Sequence, residues 1–258
     1  MENTNLEISM AHDFNIPQIV QLINKQAIHD KDKIVILPEK FRMVAIQNDV
    51  AKNRLYVAKD FDKIVAFKKL FIVNDQKEFS SIAQEELPCV GTASTLVAVE
   101  CWIASICTRM LTMPSFSLRD SAIIYCGADF THPQYRNQKI NSCLMEYALS
   151  YIQGNVIHDI KTNKKNQIAL LYGLTKINAG EQGGIDRTPS IIKAFNIFAQ
   201  KVASACNHYG TNFLYHGQYN SFMPTFDPKN ETCTPLPDNQ AIAGYRNVLI
   251  YSFSKEVK

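Results

Sequence analysis

Hydrophobic residues recur with helical spacing in two regions of the 258-residue chain. In the first, apolar positions fall at i, i+3, i+4, i+7 and i+11, namely Ile16, Ile19, Val20, Ile23 and Ala27. The second region begins at Ile140 and repeats the spacing at Cys143, Leu144, Tyr147, Ala148 and Tyr151. We predict an amphipathic helix in each region, and Gly154 stands where the C-cap of the second belongs.

Shorter apolar runs with β-forming residues lie between these helices. Residues 55–58 and 63–73 are separated by four polar-rich positions and predict a hairpin. Further strands are predicted at 6–10, 121–130, 167–177, 212–219 and 248–253, and further helices at about 39–52 and 191–206. Residues 74–118 read as an insertion, and the proline-rich stretch 220–243 as an irregular excursion. With no internal repeat and no linker, the chain 1–258 is predicted to be one α/β domain with insertions.

The composition is that of a soluble globular protein. Apolar residues make up 46% of the chain and charged residues 20%, which argues against disorder. The net charge of +3 is small, and the densest basic cluster is only Lys161, Lys164 and Lys165. Nucleic-acid-binding domains usually have a concentrated basic face, so no nucleic-acid partner is expected.

Cysteine spacing predicts free thiols and no metal site. The seven cysteines form no CxxC pair and no ligand spacing with the six histidines. Cys126 and Cys143 read as small buried hydrophobic residues. The N-terminus lacks a secretory signal, and the longest apolar stretch, 95–107, is too short to span a bilayer and is interrupted by Glu100. A cytoplasmic protein with no membrane partner is expected, with export by another route left open.

Residues 123–154 carry the strongest functional signal. An apolar strand leads into a polar turn at 131–141, which opens directly into the predicted helix from Ile140. The first turn of a helix has backbone N–H groups without intrahelical acceptors and the positive end of the helix dipole, so it can bind phosphate. A strand–turn–helix that binds nothing is the alternative reading of the same pattern.

Two stretches resemble the GNAT (Gcn5-related N-acetyltransferase) family. The opening LEISMAHDFNIPQIVQLIN (6–24) and the hairpin RLYVAKDFDKIVAFKKLFIV (54–73) look like the first elements of that family. The turn THPQYRNQKINSCLMEYAL (131–149) is similar to its acetyl-CoA pyrophosphate signature, Arg/Gln-x-x-Gly-x-Gly/Ala. The order of predicted elements also agrees. The resemblance implies a GNAT-like mixed, mostly antiparallel central sheet flanked by helices.

By the same resemblance, acetyl-CoA is the implied co-substrate and no metal is implied. Backbone groups at the end of the strand would hold the thioester and pantetheine, and backbone amides of the turn would hold the diphosphate. Asn178 would bond the pantetheine, although a simple turn residue is an equal alternative there. The implied cofactor-binding residues are Phe130, Thr131, Arg136, Asn137, Gln138, Lys139, Ile140, Asn141 and Asn178.

Lys139 and Asn141 depart from the signature, because they stand where the family has two small residues. Glycine in such loops lets the backbone approach phosphate closely and take unusual torsions. Asn tolerates positive φ better than most residues, and a Lys can place its ammonium against the diphosphate. Cofactor binding with altered geometry is therefore expected.

The resemblance and the strand pattern nominate Asp129 and Tyr125 as catalytic residues. Strict alternation along 123–131 places both on one face of the strand. A tyrosine is a poor base near neutral pH, so Tyr125 would need a water relay or Asp129. Asp129 is unusual in an apolar strand, and it either faces solvent, forms an ion pair or works in the cleft. No tyrosine stands at the comparable helix positions, Phe195 and Phe198, so the general acid stays unassigned.

These observations predict an acetyl-CoA-dependent N-acetyltransferase that moves an acetyl group directly to an amine of a small molecule or a protein. The alternative is a catalytically degenerate GNAT-fold protein that binds CoA or acts as an interaction or regulatory module. The absence of both small residues and of the tyrosine acid favours that alternative. The sequence leaves the acceptor and the oligomeric state open.

Overall fold

A seven-stranded mixed sheet runs through the computed structural model, which describes residues 6–29, 39–73, 119–174, 188–207, 211–221, 225–227, 232–234 and 244–253. The strands are β1 (Leu6–Met10), β2 (Leu55–Asp60), β3 (Lys63–Val73), β4 (Ser121–Thr131), β5 (Gln167–Leu174), β6 (Thr211–Ser221), β7 (Thr225–Asp227), β8 (Thr232–Thr234) and β9 (Gly244–Phe253). Their order in the sheet is β1-β2-β3-β4-β5-β9-β6, and β7 pairs separately with β8. Only β4 and β5 run parallel; the other neighbours are antiparallel. The predicted fold class is confirmed.

Two pairs of helices cover the two faces of the sheet. They are α1 (Ile16–His29), α2 (Glu39–Ala51), α3 (Ile140–Lys161) and α4 (Thr188–Ala205). Apolar side chains of α1 and α2 pack with Leu55, Val57 and Phe67 on one face. Those of α3 and α4 pack with Tyr56, Leu70 and Ile124 on the other face, in the larger core. None of the described helices combines the length and the apolar character needed to cross a membrane.

Three expectations about individual elements are wrong. Helix α3 does not end at Gly154 but continues to Lys161, because the buried Val156 and Ile160 extend its apolar face. Cys143 is exposed rather than buried, whereas Cys126 is buried as expected. Within the excursion 220–243, the structure contains the short pair β7–β8, so this stretch is not wholly irregular. The insertion 74–118 lies outside the described residues, and the single-domain assignment stays a prediction.

A bulge in β4 decides which side chains reach the α3 face. Lys68 of β3 pairs with Asp129 of β4, and Leu70 pairs with Cys126. The step from Lys68 to Leu70 covers two residues of β3, whereas the step from Asp129 to Cys126 covers three residues of β4. The extra residue breaks the alternation, as β-bulges do. Asp129 consequently contacts Lys68 on the α3 face, whereas Tyr125 packs on Phe71, 5.5 Å between ring centroids, on the α2 face. The expectation that Tyr125 and Asp129 share a face is therefore wrong.

Strands β4 and β5 pair over only part of their length. Their parallel register runs from Ser121 and Gln167 to Cys126 and Tyr172. Beyond that point β5 continues along β9, while β4 continues along β3 as far as Thr131. Among the described residues, the last part of β4 thus has a strand neighbour on one side only. This opening lies directly before the polar turn and α3.

Candidate functional site

The turn between β4 and α3 places an uncapped helix start at the end of the sheet. A short 3₁₀ turn, Pro133–Tyr135, follows β4, and the chain then passes through Asn137 and Lys139 at φ of 66° and 60°. Lys139 is the N-cap of α3 in the left-handed region and makes no side-chain capping bond. The next N–H groups, of Ile140, Asn141 and Ser142, have no intrahelical acceptor by virtue of their position. No acidic residue stands in this first turn.

A cleft of about 210 Å³ opens over this helix start. Its walls combine two cationic residues, Arg136 and Lys139, with apolar residues of α3 and with Ile191 from the start of α4. The lining residues are Thr131, Tyr135, Arg136, Asn137, Lys139, Ile140, Asn141, Ser142, Met145 and Ile191. Cationic side chains next to free backbone N–H groups favour an anionic ligand.

Two side-chain contacts fix the turn to the sheet. The Tyr135 hydroxyl donates to Asp60 Oδ2 at 2.5 Å, which ties the turn to the β2–β3 hairpin. This hydrogen bond, and after it burial and the Asp60 charge, raises the pKa of Tyr135. Arg136 Nε donates to the carbonyl of Thr131 at 3.4 Å across the turn. The turn is thereby held from both sides.

A polar triangle lies beneath the first turn of α3. Lys68 Nζ donates to Asn141 Oδ1 at 3.1 Å and to Asp129 Oδ2 at 3.3 Å, and Asn141 Nδ2 donates to the same Asp129 oxygen at 2.6 Å. Lys68 is fully buried, and the Asp129 side chain is 18% exposed. Burial alone would lower the pKa of Lys68, but its interactions with Cys126 and Asp129, which include side-chain hydrogen bonds to both, outweigh burial and raise that pKa. Lys68 is therefore a buried ammonium.

Most of the nominated cofactor residues come together at the cleft. Six of them line it: Thr131, Arg136, Asn137, Lys139, Ile140 and Asn141. Gln138 is exposed, and its amide donates to the Gln134 carbonyl instead. Phe130 has its ring stacked on Phe67, 5.8 Å away, on the α2 face. Asn178 lies outside the described residues.

The two nominated catalytic residues lie in different surroundings. Asp129 sits at the opening between β4 and β5 within the polar triangle. Tyr125 is 1% exposed and packed against Phe71, on the other face. On α4, Phe195 is buried against Tyr251, and their ring centroids are 5.0 Å apart. Among the described residues, no group of three or more His, Cys, Asp or Glu side chains could hold a metal ion.

Sequence reasoning missed Lys68, Tyr135 and the α4 residue Ile191. The adjacent lysines of FKKLF, in the middle of an otherwise apolar strand, were a usable signal for Lys68, because such a charge must find a partner. Tyr135 was noted only as part of the motif. Ile191 had no local signal, because its place at the cleft depends on how α4 packs against α3.

Comparison with known proteins gives a match by structure and none by sequence. No family model matches the chain, and no curated protein matches it. The fold is similar to that of a Drosophila melanogaster polyamine N-acetyltransferase that forms N-acetylagmatine, with 12% identity over 96% of this chain and 100% of that chain and a TM-score of 0.52.

Two further solved structures give weaker matches. They are a GNAT-family acetyltransferase from Streptococcus pneumoniae (9% identity, 96% and 99% coverage, TM-score 0.41) and Arabidopsis thaliana NAA60 in complex with acetyl-CoA (12% identity, 96% and 98% coverage, TM-score 0.40). At these identities structural likeness bears on the fold alone, and it is the match to the Drosophila enzyme, with its TM-score of 0.52, that carries this inference. The chain therefore has the GNAT fold that its motif suggested.

Proposed function

We propose that the protein is an acetyl-CoA-dependent N-acetyltransferase that transfers the acetyl group directly to an amine of a small molecule or a protein. The observation that carries the proposal is the uncapped start of α3, which faces a cleft lined by Arg136 and Lys139 at the open end of β4. The GNAT fold and the signature at 136–141 support the same assignment.

The residues present fit the diphosphate of CoA. Lys139 has a left-handed torsion at the first small-residue position of the signature, and Asn137 has one at a variable position, so the turn takes these torsions without glycine. The N–H groups of Ile140, Asn141 and Ser142 would hold the diphosphate together with the charges of Arg136 and Lys139. Bound acetyl-CoA would supply an acetyl group activated as a thioester.

For the acceptor, Asp129 is the better supported of the two nominated catalytic residues. It is partly exposed at the opening beyond Cys126, where β4 has no β5 neighbour. Although its charge is paired with Lys68, this carboxylate can accept a hydrogen bond from an amine held toward the end of β4. Tyr125 would have to act through the sheet from the other face, so we assign it a supporting role.

A direct test is titration calorimetry with acetyl-CoA, followed by an assay of thiol release with a panel of amines. Arg136→Ala should weaken binding roughly tenfold or more, because a charge-assisted hydrogen bond contributes about 1.5–3 kcal/mol. Lys161→Ala removes a cation at the far end of the same helix and should leave binding unchanged. No heat of binding from the wild type at millimolar acetyl-CoA would refute the proposal.

A second candidate is a GNAT-fold module that binds CoA without transferring acetyl groups. The burial of Phe195 and Phe198 on α4 favours it, because the resemblance implies a tyrosine acid on this helix. Saturable CoA binding with no thiol release from any amine in the panel would assign this second function. Amine-dependent thiol release would exclude it.

A further inference from the structure

Asn141 occupies a signature position that the family fills with glycine or alanine, and its side chain has a specific use. The amide turns under the helix start, with Oδ1 facing the Lys68 ammonium and Nδ2 facing the Asp129 carboxylate. An amide is the group that can accept from a cation and donate to an anion at once. A carboxylate at this position would face Asp129, and a methyl group would leave both neighbours without this bridge.

The bulge in β4 builds the triangle. It brings Asp129 directly opposite Lys68 on the neighbouring strand, on the face that α3 covers. Side chains directly opposite on adjacent strands lie close enough to pair. A buried ammonium needs a partner and hydrogen bonds, and Asp129 and Asn141 supply both. The triangle therefore joins β3, the end of β4 and the second residue of α3.

The position of the triangle couples it to the anion site. Asn141 contributes its side chain to the triangle and its backbone N–H to the helix start, so fixing the one orients the other. Binding groups that are held in place before the ligand arrives lose less entropy on binding.

We propose that Lys68 and Asn141 are positioning residues for the diphosphate of acetyl-CoA. Their contacts hold the first turn of α3 against the end of β4. Asn141 makes these contacts from the position where the signature has its second small residue. This inference rests on the proposed CoA-dependent function. It adds that the asparagine at position 141 supports cofactor binding and is not a sign that the binding site has been lost.

The two interpretations of Asn141 make opposite predictions. If its side chain merely obstructs the phosphate, Asn141→Ala restores a residue that the family accepts and tightens binding. If it positions the turn, Asn141→Ala loosens the helix start and weakens acetyl-CoA binding roughly tenfold, a change of about 1.4 kcal/mol. Cys143→Ala, an exposed residue on the same helical turn and outside the cleft lining, is the matched control.

The experiment measures the dissociation constants of acetyl-CoA and inorganic pyrophosphate for the wild type, Asn141→Ala, Lys68→Met and the double variant. Positioning through one network predicts that the double variant loses little more than either single variant. Independent structural damage predicts that the two losses add. Circular dichroism and thermal melting establish that each protein is folded. If Lys68→Met does not fold, the dissociation constant of acetyl-CoA for Asn141→Ala alone tests the positioning inference.

Each outcome has a separate meaning. A wild type that binds neither acetyl-CoA nor pyrophosphate overturns the proposed function. A wild type that binds acetyl-CoA while Asn141→Ala binds it equally well or more tightly overturns the positioning inference and leaves the function standing. Additive losses in the folded double variant also overturn the inference.

Discussion

Replacing Lys139 by glycine should strengthen the fold and weaken anion binding at the same time. Lys139 has φ of 60° and ψ of 12°, a left-handed conformation that costs an L-residue about 1–2 kcal/mol. Glycine removes this strain but gives the unfolded chain more freedom, a loss of about 0.5–1 kcal/mol. The net gain in the free energy of unfolding therefore lies in a range of about 0–1.5 kcal/mol; its centre of about 0.8 kcal/mol corresponds to a rise of about 2–3 °C in melting temperature.

The assay is urea unfolding of Lys139→Gly beside Gln138→Gly. Gln138 is the exposed neighbour and is not among the positive-φ residues, so glycine there should only destabilise, by about 0.5–1 kcal/mol. If the two variants lose the same free energy of unfolding, the left-handed conformation of Lys139 does not carry the conformational cost assumed here.

The binding measurement on the same two proteins tests the charge. Lys139→Gly removes an ammonium from the cleft wall, so its affinity for pyrophosphate should fall and should depend less steeply on salt than that of the wild type. Gln138→Gly should keep the wild-type salt dependence. An equal or higher affinity of Lys139→Gly for pyrophosphate would show that Lys139 does not contact the anion.

Three further predictions concern the frame around the site. Leu144→Ala should lower the free energy of unfolding by about 2–5 kcal/mol in urea, because Leu144 is fully buried under the sheet; a loss below about 1 kcal/mol would contradict that packing. Burial raises the pKa of Tyr251 from 10.0 to about 12, so its contribution to stability is complete below pH 10 and is lost as pH rises toward 12. Tyr251→Phe should flatten this alkaline loss in pH-dependent unfolding, and an unchanged slope would refute it. Tyr135→Phe and Asp60→Ala should each destabilise by about 0.5–1.5 kcal/mol and not add, whereas additive losses would show that their hydrogen bond is not shared.

Local features of the site could be predicted from the sequence because their causes are local. The turn at 131–141 and the start of α3 depend on neighbouring residues, and both lie where the pattern placed them. The left-handed torsion at Lys139 falls on a small-residue position of the signature, whereas the one at Asn137 falls on a variable position, and Asn141 has no positive φ.

Features that join distant parts of the chain could not be predicted in the same way. Lys68 bonds to Asp129, which is 61 positions away in the sequence, and to Asn141, which is 73 positions away. Nothing near Lys68 in the sequence specifies those partners. The bulge in β4 passes through the small residues Gly127 and Ala128, which do not disturb the apolar pattern. Strict alternation therefore gave the wrong face for Asp129 relative to Tyr125, because a shift of one residue exchanges the two faces of a strand.

The two adjacent lysines of β3 connect the strand unequally to the two helical layers. Lys68 pairs with Asp129 on the α3 face, and Lys69 pairs with Asp49 of α2 at 2.9 Å on the other face. Removing one partner of a buried ion pair typically costs about 3–5 kcal/mol. If the α1–α2 layer detached, Lys69 would lose the Asp49 carboxylate, whereas detachment of the α3–α4 layer would leave Lys68 paired with Asp129 of β4 and would remove only its bond to Asn141. The ion pairs of β3 therefore tie the strand more strongly to the α1–α2 layer than to the α3–α4 layer, which contacts Lys68 through the neutral amide of Asn141.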